Sequence, residues 1–133
     1  MYDILKNIAS DNDWVFEYAP SDYQNLYNKA TTEKVHLFID PITIESRFSD
    51  SGNETQTFSG YFMLLFSSDV DEEYTTKYET YIKPLITTST QAIKDSLLCS
   101  DLQINKFQST EVINRFDFNL DGILVNYNIT LID

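Results

Sequence analysis

Phe58-Ser59-Gly60-Tyr61-Phe62-Met63-Leu64-Leu65-Phe66-Ser67 decides how this chain folds. Side chains alternate across a strand, so Phe58, Gly60, Phe62, Leu64 and Phe66 share one face and Tyr61, Met63 and Leu65 the other. A strand apolar on both faces belongs in the middle of a sheet that is covered on both sides. The second cover is either a helix layer or a neighbouring subunit. The strand signal runs over 55–67, the longest in the chain.

Upstream, Val35-His36-Leu37-Phe38-Ile39 is a second strand apolar on both faces, punctuated by Asp40-Pro41 and continued with alternation by Ile42-Thr43-Ile44-Glu45-Ser46. Asp50-Ser51-Gly52-Asn53 is a polar turn between these strands. Trp14-Val15-Phe16-Glu17-Tyr18 is aromatic and β-branched, hence another strand, which Pro20 stops. Tyr2, Leu5, Ile8 and Ala9 fall on one helical face over 2–10, and Asp11-Asn12-Asp13 breaks that helix. A short helix is expected over 22–30, carrying Tyr23, Leu26 and Tyr27.

Downstream, Asp69 is an N-cap, and Asp71, Glu72 and Glu73 complement the helix dipole. Tyr74, Tyr78, Tyr81, Ile82, Leu85, Ile86, Ala92, Ile93 and Leu97 keep one stripe at helical spacing straight through Pro84. The spacing predicts a long helix kinked at the proline, or two helices joined there. Strands are expected over 102–107 and 112–118. The latter pairs with 123–131 across a turn at Leu120-Asp121-Gly122. Ile123, Val125, Tyr127, Ile129 and Leu131 line one face of the last strand, with Asn126, Asn128 and Thr130 on the other. The fold class is α+β in a single domain over 1–133: one antiparallel or mixed sheet packed by a long helix plus a short N-terminal one.

The chain has 133 residues with 42% hydrophobic and 14% aromatic content, enough for a real core. Its net charge is −12, and its nine basic residues are scattered singly. Tight phosphate binding needs clustered Lys and Arg, so nucleic-acid binding is rejected as the main function. The acidity reads as solubility, or as a surface that must not stick to DNA. The longest apolar run, residues 61–66, is far short of a membrane span. The N-terminal sequence lacks the basic start and long apolar stretch of a signal peptide, so the protein is expected in the cytoplasm or in a particle assembled there.

No residue set carries chemistry. His36 is the lone histidine and sits inside a strand, where a core or rim role is the ordinary one. Cys99 is the lone cysteine and, following Leu97 and Leu98, reads as a buried thiol. Asp69-Val70-Asp71-Glu72-Glu73 resembles the start of a calcium loop but has Tyr74 at the sixth position and Thr80 at the twelfth. Asp40 is the one acid placed to interest an acid–base reading, and a turn acid before Pro41 explains it. No Gly-x-Ser-x-Gly and no phosphate loop occur. The expectation is a non-enzyme with no catalytic residues, cofactor or metal. Nine Tyr and nine Phe fit a rich core and equally an interface between copies.

The 35–41 patch with its following strand and polar loop, and the 58–67 patch running into Asp69 and the helix over 74–98, resemble small bacteriophage tail-terminator, tail-completion and head–tail connector proteins. These include ring proteins of short-tailed phages infecting Bacteroidetes. The likeness covers nearly the whole chain and rests on element order. It implies a structural virion subunit without enzymatic activity, forming rings of six or twelve copies around the DNA channel. The partners would be further copies of itself and neighbouring portal, connector or tail proteins, with DNA only passing through the lumen and no membrane. The loop around 49–54 would reach a neighbour, and the acidic excess would partly face the lumen. The proline in the long helix departs from the pattern. Two other classes compete. One is an acidic adaptor or immunity-type protein that caps a basic partner in a salt-sensitive way. The other is a small enzyme or ligand-binding domain, which would need a deep pocket near His36 or Asp40.

Overall fold

The computed structural model describes residues 1–18, 34–67, 73–115 and 120–131. Among these residues it is an α+β fold of two helices and one six-stranded mixed sheet. Helix α1 (Tyr2–Asp11) buries Leu5, Ile8 and Ala9. Its end is capped by Asn12, whose Nδ2 donates to the carbonyl of Ile8 at 2.8 Å, and Asp13 turns the chain at φ 58°. Strands β1 (Val15–Tyr18), β2 (Val35–Ile39), β3 (Thr43–Phe48) and β4 (Glu54–Ser67) follow. After the long helix α2, over 74–99, come β5 (Leu102–Arg115) and β6 (Leu120–Leu131). The expected helix over 22–30, Pro20 as a stop and the Asp69 cap lie outside the described residues.

The sheet order is β1-β2-β4-β6-β5, with β3 also on β4. All pairings are antiparallel except β1 on β2, which is parallel. β2 and β3 act as one long strand against β4. Ile39 pairs with Phe62 and Thr43 with Ser59, so four steps on one side match three on the other. The extra residue is absorbed at Asp40-Pro41-Ile42, a bulge that suits a residue with no N–H to give. Asp40 keeps the ladder through its amide, which donates to the Tyr61 carbonyl at 3.2 Å.

Both helices pack on one face. Phe62, Leu64, Ile123, Val125, Tyr127 and Ile129 meet Leu5, Ile8, Ile82, Leu85, Ile93 and Leu97 there. On the opposite face Phe38, Met63, Leu65 and Leu120 form a second buried cluster. The two-faced reading of β4 therefore holds at Met63 and Leu65, but Tyr61 on the same face is 45% exposed. Beyond Tyr61 that face turns polar: Asn105 Nδ2 reaches Asn128 Oδ1 at 2.9 Å and Thr130 Oγ1 at 2.6 Å.

The long helix runs through Pro84 without interruption, as one helix rather than two. It is not uniformly α: Tyr78–Ile82 and Leu85–Ser89 are π-helical turns on either side of the proline. Wider turns leave room where proline's ring would meet a carbonyl of the preceding turn. They also shift the buried stripe. It runs Lys77, Ile82, Leu85, Thr90, Ile93, Leu97, with five-residue steps at the π turns. Tyr74 and Tyr78, expected on that stripe, are exposed as a result, and Lys77 takes their place inside.

Three further expectations are corrected. The segments over 102–107 and 112–118 are one strand, β5, continuous to Arg115 across two register irregularities. Leu120-Asp121-Gly122 is not the hairpin turn but the first part of β6, paired with Ser67, Phe66 and Leu65. Gly122 is there because a Cβ would lie 1.9 Å from the Leu64 carbonyl oxygen. Cys99 is exposed, because the buried stripe passes through Leu97 and leaves Leu98 and Cys99 outside.

Candidate functional site

Of the residues singled out for chemistry, His36, Asp40 and Cys99 are described and are not gathered into one place, while 69–72 lie outside the described residues. His36 faces away from the helices, stacked on Phe38 with ring centroids 6.1 Å apart. Burial lowers its imidazole below the usual 6.5, against backbone hydrogen bonds at Leu65 and Lys34 that raise it. It is a core histidine. Asp40 sits at the bulge between β2 and β3, half-buried. Its charge reaches Tyr127, on the helix-facing side of the sheet, whose phenol is pushed up to about 12 by burial first, then by Asp40 and Tyr18. The Tyr127 ring lies across Gly60, its cross-strand partner. Its hydroxyl has no hydrogen-bond partner among the described residues. No three His, Cys, Asp or Glu side chains among the described residues are grouped to hold a metal ion. Among the same residues, no helix is long and apolar enough to cross a membrane.

One charged pair is sealed inside. Lys77 Nζ and Asp121 Oδ2 are 3.3 Å apart with both side chains fully buried. The pair joins the start of α2 to the start of β6. Removing one member of such a pair is costly in a low-dielectric interior, so the contact ties this end of the helix to the sheet.

The exposed features lie at the other end of β4. Among the described residues, Glu54, Thr55 and Gln56 pair with β3, and the β6 ladder begins at Thr57. The β3–β4 hairpin runs on past that described ladder as an arm, and every residue of β3 is exposed. Its tip is tied by its own polar groups. Ser49 N donates to the Asn53 carbonyl and Gly52 N to the Ser49 carbonyl, both at 2.9 Å, and Gly52 takes φ 85°. Such a turn holds the arm's shape without help from the core.

The arm is two-sided. Thr43, Glu45 and Arg47 form a polar side, with Arg47 Nε on the Glu45 carboxylate. Ile44, Ser46 and Phe48 form the other, where Ile44 is 61% and Phe48 68% exposed. At its base this apolar side opens into a recess of about 380 Å³ lined by Met1, Tyr2, Asp3, Tyr18, Ile42, Ile44 and Phe58. Edge-to-face contacts of Tyr2 with Phe16 and Tyr18, at 5.5 and 5.1 Å, shape the α1 wall.

Across the sheet, β5 is the outer strand, fourteen residues long. A long outer strand presents unpaired backbone groups to any chain that aligns with it. Lys106 and the register irregularities are the features that temper this edge.

The arm was legible as two strands and a polar turn. Its reach past the described β6 ladder was not, because the register between strands far apart in the chain is not a local pattern. The recess and the buried pair also escaped sequence reasoning: the first joins α1 to β3 over a long separation, and the second follows from the π turns. No family model matches the chain, and no curated protein matches its sequence.

Proposed function

We propose that this chain is a non-enzymatic structural subunit of a phage virion. It assembles with further copies of itself into a ring around the DNA channel, at the head–tail connector or tail. The observation that carries the assembly reading is the projecting β3–β4 arm, whose apolar side exposes Ile44 and Phe48 and ends in an apolar recess. Large apolar side chains on a self-braced hairpin contribute little to the fold that displays them, and their free-energy gain comes when another surface covers them.

Three features support the phage setting. A leading helix, a long strand pair, a long helix on the sheet and a closing strand pair are in keeping with the element order that the resemblance implies, although a tight turn stands where that pattern has an extended loop. The outer strand β5 adds a second surface open to a neighbour. A net charge of −12 suits a lumen wall that repels passing DNA.

Native mass of the purified protein, alone and mixed with particles or portal from the same source, tests the reading. A closed multiple of the chain mass in either condition, six or twelve as the resemblance implies, is the expected result. A monomer in both conditions would overturn it. The charge favours one competing role, capping of a basic protein. That role predicts a complex that dissociates between low and high salt, whereas contacts through Ile44 and Phe48 persist.

A further inference from the structure

The arm tip and the recess both expose apolar side chains, and the arm tip of one molecule does not reach its own recess. Phe48 lies four residues beyond Ile44 on the same side of the same strand, about 13 Å farther out at the usual rise. Ile44 lines the recess and Phe48 does not. Bringing Phe48 back to its own recess would require breaking the β3–β4 ladder that runs from Thr43↔Ser59 to Phe48↔Glu54.

The charges match in the same sense. Glu54 is the cross-strand partner of Phe48 and so shares its side of the arm. At the recess, Lys6 Nζ stands over the Tyr2 ring, 5.9 Å from its centroid, so a cation stands beside the recess wall. An arm that seats Phe48 over the recess with Glu54 on the α1 side sets Glu54 against Lys6. Asp3, the one acid among the described residues that line the recess, lies three residues from Lys6 on the same helix.

We infer that the recess between α1 and β3 receives the Phe48 tip of the β3–β4 arm of a second copy of this chain, with Glu54 of the arriving arm facing Lys6. This rests on the self-assembly reading above and names the two surfaces it uses. A knob and a hole on different parts of one molecule make a heterologous contact, which closes into a ring when the rotation per subunit allows. The outer ring of Phe48 is the anchor, and the apolar wall of Tyr2, Tyr18, Ile42, Ile44 and Phe58 desolvates it.

The test starts from Phe48→Glu and Phe48→Leu, assayed by native mass and by the protein concentration at half assembly, with and without particles. Phe48→Glu is expected to raise that concentration at least about thirtyfold, and Phe48→Leu to stay near wild type. Lys6→Glu is expected to weaken assembly, and Lys6→Glu with Glu54→Lys to restore it. In a Cys99→Ser background, Ser46→Cys and Asp3→Cys proteins should form a disulfide only when mixed. Two results would overturn the inference while leaving the self-assembly reading intact. One is a wild-type assembly that Phe48→Glu leaves unchanged; the other is a disulfide formed by Ser46→Cys protein alone. A wild type that stays monomeric with and without particles would remove that reading and this inference together.

Discussion

The two ends of β4 behave as different materials. From Phe62 to Phe66 the strand lies between β2 and β6, beneath α2, with Phe62, Met63, Leu64 and Leu65 at most 3% exposed. From Glu54 to Gln56 it pairs with β3 alone among the described residues and lies outside the core. The same backbone conformation serves both. What differs is whether a second layer covers the side chains, and so whether a residue there contributes to the fold or is left available to a partner. Buried side chains are concentrated at the first end and exposed apolar ones at the second.

The buried end should break most easily at its charged pair. Lys77→Met removes the cation beside the buried Asp121 carboxylate and should cost about 3–5 kcal/mol in a denaturant titration. Lys77→Met with Asp121→Leu removes both charges and should recover most of that loss. A double variant as weak as the single would mean that the pair does not hold helix and sheet together.

Gly122→Ala comes next. With a Cβ only 1.9 Å from the Leu64 carbonyl oxygen, β4 and β6 must separate at the middle of the sheet. A loss of about 3 kcal/mol is expected, at the upper end for overpacking. The same replacement at Gly52, where a Cβ meets nothing within 4 Å but the backbone has φ 85°, should cost less and act only on the arm's turn. The contrast between the two glycines measures the contrast between the two ends.

Tyr127→Phe is smaller and of opposite sign. It removes a buried hydroxyl that has no hydrogen-bond partner among the described residues, so a gain of about 1 kcal/mol is expected. The pH dependence gives a second readout. The folded phenol titrates at about 12 rather than 10.0. The unfolded chain therefore releases this proton first, and stability is lost as pH rises from about 10 toward 12. Thermal melts across that window should fall for the wild type and fall less for Tyr127→Phe.

How much of this was written in the sequence follows the same division. Local alternation gave β2, β4 and the two faces of β6, because a strand's pattern depends on nearest neighbours in sequence. Helix α2 was visible as a stripe, yet the stripe assigned Tyr74 and Tyr78 to the core. Two π turns beside Pro84 step the register and bring Lys77 inside instead, and a fixed 3.6-residue period cannot express that. Gly122 read as a turn glycine because a turn and a close strand approach both select for a missing side chain. Cys99 read as buried from its leucine neighbours, although consecutive helical residues point in different directions. The recess joins residues far apart in the chain, and no local pattern encodes it.

The smallest folding effect belongs to the arm. Phe48→Ser should change stability by no more than about 0.5 kcal/mol, as for other surface positions, while weakening assembly strongly. A large loss of stability would mean that Phe48 belongs to the fold and not to an interface.

The most direct test of the account is native mass spectrometry of wild type and Phe48→Glu side by side, each alone and with particles from the same source. The expected result is a closed multi-copy ring for wild type in at least one condition and a folded monomer for Phe48→Glu in both. Wild type that remains a monomer in both conditions would contradict the claim that this chain works by assembling with itself.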